Sequence, residues 1–325
     1  MIELLISNKN SGGRLDKIIF KYLDKAPSSF VYKMLRKKNI VLNDKKASGN
    51  EILNDGDSIK IYLADETLAK FKSIPIEKGK QGDLSPYIFF EDDNIIALNK
   101  PSGMLTQKSS GKDISLNDLL IDYFDQADEL FKPGISNRLD RNTSGLVLAG
   151  KNLASTRDLN EIIKNRWLNK KYICLVKGRV EHEQRAIAYL SKNEINNQVK
   201  ISLQPSEAYP HKIITQFQPL KANDDYTVLE VDLITGKSHQ IRAHLAYLGH
   251  PLVGDSKYGD KVTNAYFRRN YGLNSQFLHA YKIDFQDITN TLEYLNGVTI
   301  TAPVPENLIK ILKGEKLCLP GIAED

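Results

Sequence analysis

The chain has 325 residues, 41% of them hydrophobic and 26% charged, which is the balance of a globular protein with one large core and room for a small additional domain. There is no apolar run near about 18 residues and no signal-peptide pattern at Met1-Ile2-Glu3, so no membrane span is expected and a cytoplasmic location is. The formal net charge of +5 is unevenly placed: Met1 to Ala64 holds 12 Lys or Arg against 7 Asp or Glu, which accounts for all of it and suggests a polyanion-binding module on a nearly neutral body.

In chain order, Leu15, Ile18, Ile19, Tyr22 and Leu23 recur at helical spacing after Arg14, and Ala26-Pro27 ends that helix. Ser28 or Ser29 then caps a second helix, which buries Val31, Met34 and Leu35 and turns Lys33, Arg36 and Lys37 to another face. Ile40-Val41-Leu42 and Ile59 to Leu63 read as small strands over the helix pair. We place this unit at residues 12–64, a linker with Lys70, Lys72, Lys78 and Lys80 at 65–85, and a larger domain at 86–325.

The larger domain opens with an expected hairpin, Ile88-Phe89-Phe90 and Ile95-Ile96-Ala97-Leu98. Further strands are expected at 146–149, 172–176, 227–234, 278–285 and 298–301, and helices at 155–164, 238–248 and 306–313. Helices fall between strands without a strict βαβ rhythm, so the fold class is α+β with a mixed or antiparallel sheet. Cys174 and Cys318 are far apart and lack metal-type spacing.

The most informative segment is Asn137-Arg138-Leu139-Asp140-Arg141-Asn142-Thr143-Ser144-Gly145, a polar turn leading into the apolar run Leu146 to Ala149. It puts one acid on a rigid strand edge, where the backbone can aim it at a substrate. Read alone, the same pattern also fits an Asx turn in which Asp140 only satisfies backbone donors. Tyr172, on a strand after Lys170-Lys171, is expected to share a face with Cys174 and Val176. Arg242 sits on the helix after Gly236-Lys237-Ser238. His239 and His244 are five apart with no glutamate between them, which is not the zinc-binding His-Glu-x-x-His pattern.

Arg138 to Gly145 resembles the arginine-leucine-aspartate signature of the RluA-type RNA pseudouridine synthases. Asn99-Lys100-Pro101-Ser102-Gly103, Lys171 to Gly178, Gly236 to His244 and Pro251 to Gly259 fit the same family in the same order, so the likeness runs from about Tyr87 to Lys313. One departure is Asn137, where the family usually has histidine; asparagine keeps a hydrogen-bonding side chain but cannot titrate. The front unit resembles the small RNA-binding domain named after the fourth small-subunit ribosomal protein, through Arg14-Leu15-Asp16, Arg36 to Asn43 and Asp55-Gly56-Asp57.

The resemblance implies a central, mainly antiparallel sheet with the active cleft across one face, and isomerisation of uridine to pseudouridine in RNA. Asp140 is then the catalytic acid, as nucleophile on sugar or base or as proton abstractor, Tyr172 packs on the flipped base, and Arg242 pairs with Asp140. Arg14, Lys33, Arg36, Lys37, Lys38, Arg138, Arg141, Lys237 and His239 are the expected RNA contacts. The reaction is redox-neutral and retains its leaving group, so neither cofactor nor metal is called for. The front domain points to large-subunit (23S) ribosomal RNA, and a monomeric enzyme is expected. Transfer RNA is the alternative substrate, and a non-catalytic RNA-binding protein the rival class. Two other rivals are weaker, because Asn142 replaces the second acid of a dehalogenase-type Asp-x-Asp-x-Thr loop and no second carboxylate marks a glycosidase.

Overall fold

The computed structural model describes residues 1–7, 10–72, 82–108, 113–124, 133–193 and 197–321. In the first part, β1 (Ile2–Leu5), α1 (Leu15–Tyr22), α2 (Ser28–Arg36), β2 (Ile40–Leu42), β3 (Lys45–Lys46), β4 (Ser58–Ile61) and α3 (Asp65–Phe71) follow one another. The strands make an antiparallel sheet ordered β1-β4-β2-β3. Leu15, Ile18, Ile19 and Leu23 of the first helix region meet Val31 and Leu35 of the second and Ile40, Ile59 and Ile61 of the sheet in a separate core.

That core is wider than residues 12–64. β1 pairs with β4, and α3 buries Leu68 and packs Phe71 where a linker was expected. The linker lysines Lys78 and Lys80 lie outside the described residues. The two parts also touch: Leu153 packs on the first core and Arg157 donates to the Gly12 carbonyl at 3.2 Å.

The second part contains β5 (Ile88–Glu91), β6 (Ile95–Lys100), α4 (Leu116–Tyr123), β7 (Ser144–Gly150), α5 (Leu153–Asn165), β8 (Leu168–Lys177), β9 (Gln184–Asn193), β10 (Gln198–Ser202), β11 (His211–Ala222), β12 (Tyr226–Asp232), α6 (Gln240–Tyr247), α7 (Lys261–Tyr271), β13 (Leu278–Phe285), β14 (Thr299–Thr301) and α8 (Glu306–Gly314). One sheet runs β10-β9-β11-β12-β8-β13-β7-β6-β5, with β14 on β13. Every pairing is antiparallel except β7 with β13. The α+β expectation and its mainly antiparallel sheet are therefore met.

Strand alternation decides which side chains reach which face. Tyr172, Cys174 and Val176 of β8 enter one core with Val147, Leu229 and Leu278, while Ile173 and Leu175 enter the core on the other face under α7 and α8. Gly145 is required at the parallel junction: it has φ of +114°, and a Cβ there would lie 2.1 Å from the Ala280 carbonyl oxygen. Only a residue without a side chain lets β7 and β13 meet at this point. Among the described residues, no helix is long and apolar enough to cross a membrane.

Candidate active site

The turn from Asn137 to Thr143 enters β7, and its neighbours fix it from three sides. Asn137 is buried and uses both ends of its amide on β7, donating to the Leu146 carbonyl at 3.3 Å and accepting from Leu148 N–H at 2.7 Å. A neutral amide suits this work, because it satisfies one backbone donor and one acceptor at any pH. Thr106 holds Leu139 reciprocally, donating to its carbonyl at 2.8 Å and accepting its N–H at 3.2 Å.

The third support is Lys100, which is fully buried and donates to the carbonyls of Pro101, Met104 and Arg141 at 3.0, 2.8 and 2.9 Å. Burial pushes its pKa down to about 7, and the nearby charge of Asp140 pulls it back upward. Ser102 adds a bond to the Asn142 carbonyl at 2.9 Å, and Arg141 donates to the Gly103 carbonyl at 3.0 Å. The turn 101–104 is thus tied to the turn that carries Asp140.

Asp140 keeps 26% of its side chain exposed at the floor of a cleft of about 750 Å³. Tyr172 and Arg242 line the same cleft, so the three residues expected to work together are together. Arg242 Nη1 donates to Asp140 Oδ2 at 2.8 Å. Tyr172 is buried on β8 between β12 and β13. Burial first, and the charge of Asp140 second, hold its hydroxyl well above the usual tyrosine range, so it stays protonated.

Arg242 meets Asp140 through one nitrogen and turns the rest of its planar fork elsewhere. Its Nε and Nη2 go to Asp255, at 2.7 and 2.9 Å, and only the outer nitrogen reaches Asp140. Asp255 is fully buried. Burial alone would lower the pKa of Arg242, but the hydrogen bonds and charges of Asp255 and Asp140 overcome it and raise it. Burial alone would raise the pKa of Asp255, and the arginine reverses that as well. Tyr258 underlies the guanidinium, its ring centroid 5.4 Å from Cζ. Neither Asp255 nor Tyr258 stands out as a site residue in the sequence; the signal available there is an acid set just after the apolar Leu252-Val253.

The expected RNA contacts divide into several groups. Arg138, Arg141, Lys237 and His239 line the cleft, joined by Lys170 and Lys257. Arg141 is already committed, however, to Gly103 and, at 3.0 Å, to Asp113. His239 is turned inward, with Nδ1 2.9 Å from the Tyr258 hydroxyl and Nε2 3.8 Å from Asp140. In the first part, Lys33, Arg36, Lys37 and Lys38 are exposed on α2 and just beyond it. Arg14 instead closes a local network, bonding Asp16 at 3.1 and 2.7 Å and Asn50 at 2.6 Å. His244 is buried against Thr215 at 3.0 Å, away from the cleft.

The model of a protein family described as RNA pseudouridylate synthase matches residues 94–247. A ribosomal large subunit pseudouridine synthase C of Haemophilus ducreyi is 32% identical over 94% of this chain and 93% of its own length. The protein of the same name from Escherichia coli K12 is 30% identical over 95% of this chain and 94% of its own. Among solved structures, Human RNA Pseudouridylate Synthase Domain Containing 4 superposes with a TM-score of 0.59 at 19% identity, over 73% of this chain and 96% of that one. Human RNA Pseudouridylate Synthase Domain Containing 1 gives 0.52 at 23%, over 67% and 83%. Both structures support the fold.

Proposed function

Because the chain belongs to the RNA pseudouridylate synthase family, we propose that it isomerises uridines of large-subunit ribosomal RNA to pseudouridine, with Asp140 as the reacting carboxylate. The observation that carries this is the 2.8 Å pair of Asp140 with Arg242 in a cleft shared with Tyr172. In the reaction, the bond from uracil N1 to ribose C1′ breaks, a bond from C5 to C1′ forms, and the proton lost from C5 is balanced by one gained at N1. A base in a helix cannot reach such a site, so the uridine is flipped into the cleft.

Each residue then has a task suited to its surroundings. Asp140 is aimed by a turn that does not depend on substrate, and it attacks the sugar or base or takes a ribose proton. Tyr172 offers a ring face for stacking and a protonated hydroxyl near the reacting atoms. Arg242 holds Asp140 while Asp255 holds Arg242. The exposed Lys33, Arg36, Lys37 and Lys38 supply phosphate contacts from the front unit. The ribosomal substrate is supported by the names of the relatives. A cytoplasmic location fits a ribosomal RNA substrate.

The test is release of tritium from ribosomal RNA labelled at uracil C5, by the wild-type protein and by Asp140→Asn. Wild type should release tritium and the variant should not, while folding and RNA affinity are kept. Residual activity above about 1% would count against Asp140, since each tenfold corresponds to about 1.4 kcal/mol of barrier. Pseudouridine missing from transfer RNA, rather than from ribosomal RNA, in a strain lacking the protein would transfer the assignment to the other substrate.

A further inference from the structure

Asp140 has two oxygens, and their surroundings differ. Oδ2 accepts from Arg242 Nη1 at 2.8 Å and is also the oxygen faced by His239 Nε2, at 3.8 Å. Oδ1 has no hydrogen bond among the described residues, and Asp140 lines the cleft. His239 is itself held under constraint. It begins α6 in the left-handed region, with φ of 54° and ψ of 17°, a conformation that a side-chain-bearing residue keeps only when its surroundings impose it.

The side chain of His239 is tied to Tyr258. The Tyr258 hydroxyl oxygen accepts Val199 N–H from the edge strand β10 at 2.8 Å, and lies 2.9 Å from His239 Nδ1. Val199 N–H can only donate, so the hydroxyl proton needs an acceptor elsewhere, and His239 Nδ1 is the one within reach among the described residues. An Nδ1 that accepts is unprotonated, and the imidazole proton then sits on Nε2, the nitrogen that faces Asp140. Burial lowers the pKa of this histidine, with Arg242 and Lys257 opposing Asp140, and so favours the neutral ring.

We infer that His239 and Tyr258 form a positioning pair for Asp140, presenting a neutral Nε2–H donor to Oδ2 and leaving Oδ1 as the oxygen that reacts with uridine. A neutral donor suits this task. It turns the carboxylate without adding a second cation beside Arg242, which would draw charge away from the reacting oxygen. The 3.8 Å separation is longer than a hydrogen bond, so in this state Nε2–H faces Oδ2 as an oriented dipole, and a small turn of the imidazole, with Asp140 in place, would bring it to bonding distance. This inference rests on Asp140 being the reacting carboxylate.

Tyr258→Phe tests it with little disturbance, because the ring under Arg242 remains and only the hydroxyl is lost. Nitrogen NMR of full-length protein with labelled histidine should show His239 as the Nε2–H tautomer in the wild type and a mixture of tautomers in Tyr258→Phe. Single-turnover rates on substrate RNA should fall roughly threefold to tenfold in Tyr258→Phe, the worth of one neutral hydrogen bond, with RNA affinity unchanged. His239→Gln, which can still place an N–H near the Nε2 position, should keep more rate than His239→Ala, and adding Tyr258→Phe to His239→Ala should cost nothing further. The Nδ1–H tautomer in the wild type, or loss of RNA affinity with the single-turnover rate intact, would overturn the inference and return His239 to RNA contact. Asp140→Asn should move the His239 Nε2 resonance whether or not turnover survives, so a failed catalytic assignment and a failed positioning pair give different results.

Discussion

Asp255 takes two of the three guanidinium nitrogens of Arg242 that make ion pairs, and Asp140 takes the third. The buried acid therefore sets the plane of the arginine, and the arginine sets the position of the acid in the cleft. Asp255→Asn should reduce turnover at least tenfold while Asp140 is untouched, because an amide cannot accept both N–H bonds and leaves a buried cation short of one partner. Breaking a buried pair costs about 3 to 5 kcal/mol, so a lower urea midpoint should accompany the loss. Unchanged kinetics in a destabilised variant would separate Asp255 from the site.

Arg242→Lys should be almost as damaging as loss of the arginine. A single ammonium cannot bond Asp255 on one edge and Asp140 on the other, and the platform over Tyr258 is also lost. Single-turnover kinetics with saturating RNA give the comparison. A lysine variant within about threefold of wild type would show that charge alone suffices at this position.

Tyr172→Phe keeps the ring and its packing against the core, so RNA affinity and stability should hold. If the hydroxyl handles the C5 proton, the chemical step should slow by roughly a hundredfold. An unchanged single-turnover rate would leave Tyr172 as a stacking surface only.

Acid should weaken the fold before the carboxylates titrate. Burial lowers the pKa of both His244 and His279 to about 4, from an ordinary value near 6.5. Between those values the unfolded chain binds protons that the folded chain refuses, so stability is lost as the pH falls through that window. The loss is at most roughly 3 kcal/mol per histidine. Urea midpoints at pH 7, 5.5 and 4.5 check this. The decline should be shallower in His244→Gln, and a midpoint flat across the range would contradict the reading.

Removing residues 1–80 tests the front unit. Its separate core argues that the remainder folds, although Leu153 loses its cover and Arg157 loses Gly12. Turnover on short RNA should persist. The slope of log affinity against log salt for long ribosomal fragments should become shallower by roughly 0.7 to 0.9 for each phosphate contact removed. Equal slopes would mean that Lys33, Arg36, Lys37 and Lys38 do not grip RNA.

The pairing of Asp140 with Arg242 was legible because each stands in a distinctive local pattern and the patterns occur in a recognisable order. What Arg242 does with its remaining nitrogens was not, since Asp255 meets it only once α6 and the turn at 252–258, which follows a segment bonded to β8, are assembled. The strands β9, β10 and β11 do bury one face, with Ala188, Leu190, Val199, Ile213 and Phe217, but that face also holds the polar Thr215 while the apolar Ile187 and Ile214 lie on the other, so the sequence alternation is blurred. α4 was readable in principle, since Ser115 and Asp118 form a capping box before Leu116, Leu119 and Leu120. In the first part, α3 looked like a linker because its surface is mostly charged and its apolar contacts, Leu68 and Phe71, are few.

The ties among Lys100, Ser102, Gly103 and the turn 140–142 bear on who moves when enzyme and RNA meet. The acid's place is settled as the protein folds, before any nucleotide arrives, so no loop has to close merely to bring it into position. The rearrangement falls on the RNA, whose stacked uridine must leave its neighbours. Sites where that uridine is already unpaired or weakly stacked should therefore react fastest, and selectivity among otherwise similar uridines follows from how easily each one can be turned out.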